Sequence, residues 1–384
     1  MKNLLLLCFF ALTIVGCKHN NQSKVTDDSA GYYPPTPQNL SKQEFRRYYN
    51  AVMAYYDSAL DNTGFNGQFL VAKGGRIIFE KYKGLQFINS GDSINEHTPF
   101  HIASTSKTLT SGAVLKLWDQ GLINIDDSLT KYFPSFPYPG ITIKMLLSQR
   151  SGLPGYNRFE KKPDWDFNTP VNNNDLLNYL IKYKPKCDHL PGKAFQYSNT
   201  NFALLALIIE KVTGKSYPEY MQETFFDPLK MTDTHVYTHA DSGKVLPSFD
   251  WRGRKEAYTF LDDIYGDKNI YSTVRDLLKW DQALYTNELF KPETLAAAFT
   301  PYSNEKPGIN NYGLGWRMKL YPDGNKIIYH NGWWHGNNSC FQRVIQDSVT
   351  IIVLGNRFNS NIYHCNKIAN LFNNNYTEEN GTDE

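Results

Sequence analysis

The chain is poor in the residues that announce a metal, a nucleic acid or a membrane span. Its 5 cysteines in 384 residues never fall in Cys-x-x-Cys spacing, and both His-Glu-x-x-His and the Gly-x-Ser-x-Gly elbow are missing. Zinc ribbons, zincin-type peptidases and α/β-hydrolases are set aside on that ground. Lys and Arg outnumber Asp and Glu by 40 to 38, and basic residues never run longer than two. Nothing in that balance argues for a nucleic-acid partner. The longest apolar stretch near the N-terminus, Leu4–Val15, is 12 residues, where a spanning helix needs about 20. What the chain does have is 41% hydrophobic and 15% aromatic residues. It can therefore bury a large core, as one large domain or two ordinary ones.

The N-terminal apolar stretch follows Met1-Lys2 and ends at Gly16-Cys17, the profile of an export leader. "TIVGC" resembles a bacterial lipobox, in which the cysteine becomes the lipidated first residue. Residues 1–16 are thus expected to be a lipoprotein signal peptide, with Cys17 the lipidation site. Residues 17–42 read as a flexible tether, being polar and without an apolar period. The expected location is the cell envelope, with a lipid anchor as the only membrane contact. Once Cys8 leaves and Cys17 is modified, Cys187, Cys340 and Cys365 remain, an odd number that allows at most one disulfide. Which two would pair stays open.

Beyond the tether, 41–61 has helical spacing behind a capping Ser41. "GQFLVAKGGRIIFEKYKG" (67–84) reads as a hairpin turning at Gly74-Gly75. Helices are expected over 104–120, 141–149, 172–183, 200–213 and 273–286. Strands return at 312–321, 325–332, 339–346 and 348–356, before a last helix near 360–372 and a polar tail, 373–384. The pattern predicts an α+β fold: one antiparallel sheet from the N- and C-terminal strands, flanked by helices, with a mostly helical lobe inserted between them. Chemistry would sit where lobe meets sheet.

Ser-x-x-Lys occurs three times, at Ser104/Lys107, Ser128/Lys131 and Ser303/Lys306. Only Ser104 opens a long apolar helix. Residues three apart share a helix face, so Lys107 can reach Ser104, and burial at a helix start disfavours a charged amine. A neutral lysine beside a serine hydroxyl can serve as its base. The competing reading is a helix-capping serine with a solvated lysine. Tyr-x-Asn occurs five times, yet only Tyr197-Ser198-Asn199 joins a loop to an apolar helix. His-x-Gly occurs once, as His330-Asn331-Gly332 at a strand end, where glycine permits close backbone approach.

Taken together these segments resemble the serine β-lactamase and penicillin-binding-protein superfamily, specifically its class C-like serine hydrolases, over roughly 65–356. "FHIASTSK" is similar to the nucleophile segment, "IKMLLSQRSGLPGY" to the Leu-Leu-x-x-x-Ser-Gly-Leu-Pro segment, and "FQYSNTNFALLALIIEKVTG" to the Tyr-x-Asn region. "YSTVRDLLKWDQAL" and "YGLGW" fit as well, and "YHNGWW" stands in the place of Lys-Thr-Gly or His-x-Gly.

The resemblance implies a β-lactamase/transpeptidase-like domain over 43–372, acting as a monomer on a small molecule or peptide without cofactor or metal. Ser104 would attack an amide or ester carbonyl and form an acyl-enzyme. Lys107 and Tyr197 would share its proton, Asn199 would orient the cluster, and His330 would complete it. The backbone N–H groups of Ser104 and Trp333 would form the oxyanion hole. Asn331, Gly332, Trp333 and Trp334 would bind substrate. His330 stands where efficient class C β-lactamases carry a permanent cation, and histidine is largely neutral at pH 7. The substrate expectation therefore leans toward D-amino-acid peptides or esters, with weak β-lactamase activity a further option. Asn269, in "GDKNIYST", replaces a glycine common in the family and leaves that loop's shape open. The alternative to an enzyme is an inactive cell-wall- or penicillin-binding lipoprotein.

Overall fold

A computed structural model describes residues 39–87, 91–160, 162, 168–373 and 376. The expected signal peptide, the Cys17 lipidation site and most of the expected tether and tail lie outside these residues. Helix α1 (Lys42–Tyr56) begins at Ser41, whose side chain accepts from Glu44 N while Glu44 reaches back, a complete capping box. The hairpin β1 (Gly67–Lys73) and β2 (Arg76–Lys83) follows, turning on Gly74 and Gly75, both at positive φ. Near the other end come β6 (Asn310–Tyr312), β7 (Arg317–Leu320), β8 (Lys326–Trp334), β9 (Asn337–Val344) and β10 (Val349–Gly355).

These seven strands form one antiparallel sheet in the order β2-β1-β10-β9-β8-β7-β6, so β1 from the N-terminal part lies beside β10 from the C-terminal part. The central strands are buried on both faces. On β10, Ile352 and Leu354 join the core under the helical lobe, while Val349, Ile351 and Val353 join a second core. That alternation is the two-residue period of a strand. Residues of α1 and of a 3₁₀ helix (Ser360–Leu371) complete the second core. The Cys340–Cys365 disulfide ties this helix to β9 and leaves Cys187 free.

The segment expected as one strand over 312–321 is a hairpin. Gly313 packs against the Ala298 carbonyl, where a Cβ would fall at 2.2 Å, and Gly315 takes φ 81°, so the chain reverses between β6 and β7. The inserted lobe is helical: α2 (Ser106–Asp119), α3 (Ile143–Leu147), α4 (Asn173–Tyr183) and α5 (Asn199–Thr213), followed after α6 (Tyr217–Met221) by α7 (Val274–Ala283). Gly214 at φ 72° ends α5 in the left-handed conformation that favours glycine. Three short strands, β3 (Phe100–His101), β4 (His235–Val236) and β5 (Ile270–Ser272), make a second small sheet below the start of α2.

Candidate active site

Ser104 does not cap α2. It lies in a 3₁₀ turn, Ala103–Thr105, that leads into the helix, and no side chain caps the helix start. Ala103 holds φ 48°, which costs a non-glycine residue on the order of 1 kcal/mol and kinks the chain just before the serine. Several hydrogen bonds hold that kink. Ala103 N donates to His101 Nδ1 at 3.2 Å, Thr105 Oγ1 reaches the His330 carbonyl at 3.2 Å, and Ser339 Oγ donates to the Ile102 carbonyl at 2.6 Å. The turn is thereby bound to β8 and β9.

Lys107 stands in the first turn of α2 and is fully buried. Its Nζ donates to Ser104 Oγ at 3.0 Å and to the Asp267 carbonyl at 2.7 Å. Among the described residues it has no carboxylate partner. The solvated-lysine alternative is excluded by this burial.

Tyr197 sits in the loop before α5, with its ring centre 5.0 Å from Lys107 Nζ. Its hydroxyl is buried and has no hydrogen-bond partner among the described residues, and the same is true of Asn199 Oδ1 and Asn331 Oδ1. Unpaired buried polar atoms are uncommon enough that a group of them around one serine marks a place built for something else. The loop is held by Gln149, which sequence reading passed over. Its carbonyl accepts from Gln196 N at 2.8 Å, and its Oε1 accepts from Ser198 N at 2.9 Å and Asn201 Nδ2 at 2.6 Å. Gln149 lies within the quoted Leu-Leu-Ser-Gln-Arg-Ser-Gly stretch, but only the folded chain shows what its amide does.

On β8, Gly332 comes so close to the nucleophile turn that a Cβ there would fall 2.5 Å from the Ile102 carbonyl and 2.9 Å from Ser104 N. β7 pairs with β8 only as far as Tyr329. From His330 to Trp334 the cleft-facing edge of β8 therefore has no strand partner from β7, although β9 pairs along the other edge. Tyr363 of the 3₁₀ helix donates to the Gly332 carbonyl at 3.0 Å.

His330 is buried, with Nδ1 2.7 Å from the Asn331 carbonyl and Nε2 3.3 Å from the Tyr312 hydroxyl. Burial above all, and then the charge of the Arg317 guanidinium, hold its pKa well below the ordinary histidine value. It is neutral, in keeping with a histidine at pH 7, and is not a positive neighbour of Tyr197. Arg317 on β7 takes that place, its guanidinium 5.3 Å from the Tyr197 ring centre. The "YGLGW" segment ends one residue short of it, and the strand pairing that brings it to Tyr197 is not written locally.

Ser104, Tyr197, Asn199, Arg317, Asn331 and Gly332 line a cleft of about 790 Å³, together with Trp333 and Trp334. Trp333 is 65% exposed at the rim. Trp334 is tied inward, its Nε1 donating to Asp262 Oδ1 at 2.8 Å. Asn269 adopts φ 74°, a left-handed conformation that asparagine tolerates better than most residues other than glycine. Its Oδ1 contacts His101 Nε2 at 3.1 Å, which fixes the loop beneath the nucleophile turn. Every site residue expected within the domain thus borders one cleft or lies directly behind it.

A family model described as Beta-lactamase matches residues 57–373. Penicillin-binding protein 4* of Bacillus subtilis is 29% identical over 332 residues, covering 82% of this chain and 73% of that protein. This chain spans 63% of the length of the putative penicillin-binding protein PbpX of Bacillus subtilis and 58% of that of Protein flp of Staphylococcus aureus. The crystal structure of a penicillin-binding protein from Bacillus halodurans superposes with a TM-score of 0.71 at 23% identity, covering 83% of this chain and 99% of that one. A D-stereospecific amidohydrolase from a Streptomyces species gives a TM-score of 0.64 at 22% identity, covering 84% and 98%.

Proposed function

Since this chain belongs to the beta-lactamase family, we propose that it is a serine hydrolase that forms an acyl-enzyme on Ser104 and cleaves short peptides ending in a free carboxylate. The carrying observation is the 3.0 Å contact between Ser104 Oγ and a buried Lys107 Nζ that has no carboxylate partner among the described residues. With Lys107 in its free-base form the contact runs the other way, and the serine hydroxyl gives its proton to nitrogen as Oγ bonds to the substrate carbonyl carbon. The carbonyl oxygen becomes an oxyanion between the Ser104 and Trp333 N–H groups, each worth about 3 kcal/mol in such a site. The carbon–nitrogen bond then breaks, and the leaving amine takes a proton from Tyr197, whose hydroxyl is otherwise uncommitted. Water then attacks the acyl-enzyme with the Tyr197 phenolate as base, and as the acid leaves Lys107 returns its proton to Ser104 Oγ, restoring both groups.

Substrate choice follows from charge and edge. The open run of β8 can take an extended peptide as an added strand. Arg317 supplies a permanent cation beside Tyr197, on the leaving-group side, which suits a terminal carboxylate. Trp333 and Trp334 offer apolar walls at the other end of the run. A D-amino-acid peptide agrees with the similarity to a penicillin-binding protein and with the D-stereospecific amidohydrolase among the structural neighbours. We place the protein in the cell envelope: the Cys17 lipobox supports export, and a disulfide such as Cys340–Cys365 belongs to an oxidising compartment.

The test is labelling with a fluorescent phosphonate, then rates on a D-alanyl-D-alanine peptide, p-nitrophenyl butyrate and nitrocefin at equal concentration. Labelling lost in Ser104→Ala, with the peptide turned over fastest, is the expected result. Equal labelling of both proteins would remove Ser104 from its role. Labelling without turnover of any substrate would favour the inactive penicillin-binding alternative.

A further inference from the structure

Behind the Ser104–Lys107 pair lies a buried charged group that the proposed chemistry does not use. Asp267 is 0% exposed, Lys268 2% and Tyr156 3%. The Tyr156 hydroxyl donates to Asp267 Oδ2 at 2.6 Å and, having one proton, accepts from Lys268 Nζ at 2.8 Å. Lys268 Nζ also donates to the Ile264 carbonyl at 3.1 Å and lies 3.6 Å from Asp267 Oδ1. The Trp334 ring covers the amine at 4.6 Å. Burying an ion pair costs hydration that the mutual attraction often fails to return, and an apolar trio of similar shape would commonly be no less stable. Stability is therefore a weak reason for this arrangement.

Its placement supplies a better one. Asp267 has two arms: its carboxylate belongs to the triad, while its backbone carbonyl is the second acceptor of Lys107 Nζ. The loop carrying it is fixed on each side. Thr110, one turn along α2, donates to the Gly266 carbonyl at 2.6 Å, and Gly266 lies so close to α5 that a Cβ would fall 2.6 Å from the Phe202 carbonyl. Downstream, Asn269 Nδ2 donates back to the Asp262 and Ile264 carbonyls. Between these two fixed points, the Asp267 and Lys268 side chains flank the peptide whose carbonyl meets Lys107, and the triad holds both of them.

We propose that Tyr156, Asp267 and Lys268 form a positioning triad that holds the Asp267 carbonyl, and through it Lys107 Nζ, in line with Ser104 Oγ. The inference rests on the reading of Lys107 as the base. A base displaced by about 1 Å can lose about 100-fold in rate, so a loosened carbonyl should slow bond formation and leave substrate binding unaltered.

Two variants test it. Tyr156→Phe removes the bridging oxygen and keeps the ring. The double variant Asp267→Asn/Lys268→Met removes both charges together, leaving neither unpaired, and retains the backbone carbonyl. The measurements are kinact and KI for the fluorescent phosphonate, with thermal unfolding on the same samples and Ser104→Ala as control. The expected result is a fall in kinact of about 10-fold or more with KI within about twofold. A folded variant with wild-type kinact overturns the inference, as does a lowered melting temperature with kinact and KI unchanged. A raised KI at constant kinact would place the triad on substrate binding and overturn it equally. Should Ser104→Ala still be labelled, the catalytic reading falls and the triad's role falls with it, a result distinct from unaltered kinetics in the triad variants alone.

Discussion

Arg317 and His330 both face Tyr197, the guanidinium 5.3 Å and the imidazole 6.2 Å from the centre of its ring, and only Arg317 carries charge. The two facts are linked. Arg317 is the largest contributor after burial to keeping His330 neutral. With a neutral histidine in His330-Asn331-Gly332, a fixed positive charge beside Tyr197 comes from the neighbouring strand, where Arg317 pairs with Tyr329 immediately before the histidine.

The division predicts a substrate-dependent effect of Arg317→Gln. A hydrogen bond to a charged group is worth about 1.5–3 kcal/mol, so kcat/KM on a carboxylate-ended D-peptide should fall about 10- to 100-fold. The neutral ester p-nitrophenyl butyrate should change by no more than about threefold, since it has no carboxylate to lose. Arg317→Lys should recover only part of the peptide activity, because a compact amine cannot grip a carboxylate with two parallel bonds. Equal losses on peptide and ester would show that Arg317 acts on Tyr197 and not on the substrate.

Gly332→Ala should injure the oxyanion site directly. The added methyl would meet Ser339 Oγ at 2.3 Å, the Ile102 carbonyl at 2.5 Å and Ser104 N at 2.9 Å. Two of the three are backbone atoms of the nucleophile segment, so relief requires β8 to move away from Ser104. Losing one oxyanion donor typically costs about 100- to 1,000-fold in kcat, and overpacking about 1–3 kcal/mol of stability. Stopped-flow acylation together with urea unfolding would measure both. Acylation at the wild-type rate would mean that the Trp333 N–H is not an oxyanion donor.

Much of this site is written in local sequence, and the part that is not has a common cause. α5 can be read from its apolar run between Ser198 and Gly214, and the hairpin β1–β2 from Gly74-Gly75, because caps and turns are decided by adjacent residues. The two- and three-residue strands β3, β4 and β5 are too short to show a period, and β6–β7 looks like one strand until Gly313 and Gly315 turn it. His330 could be placed at the site from its motif. That a histidine is mostly neutral at pH 7 could be read too, but not how far its pKa falls, because that depends on burial and on Arg317 arriving from another element. The same holds for Cys340 with Cys365: counting limited the chain to one disulfide, and only the packing of the 3₁₀ helix on β9 selected the pair. Gln149 and the Tyr156–Asp267–Lys268 group are likewise polar residues whose partners are tens of residues away.

Acid sensitivity should trace in part to His101, beneath the nucleophile turn. Burial, against a raising hydrogen bond from Asn269 and with a further lowering by Lys268, pushes its pKa from 6.5 down to about 4. The folded state therefore binds fewer protons than the unfolded chain between these values, and stability must fall as pH drops. The loss begins near pH 6.5, where the unfolded histidine protonates, and stops growing below about pH 4, where the folded one does too; across that window it amounts to roughly 3 kcal/mol. His330 and other buried groups add acid sensitivity of their own, so a single acid titration cannot isolate the effect. His101→Asn can, since an amide oxygen can still accept from Ala103 N without a titrating ring. Urea unfolding at pH 7.5 and pH 4.5 should show the variant less stable than wild type at the higher pH, with a decline on acidification smaller by roughly 2–3 kcal/mol. Parallel declines in the two proteins would mean that His101 protonates as readily in the fold as outside it. The hydrogen bond from Ala103 N to Nδ1 would then not be holding the ring neutral, and the support it gives to the kink before Ser104 would have to come from the Thr105 and Ser339 contacts alone.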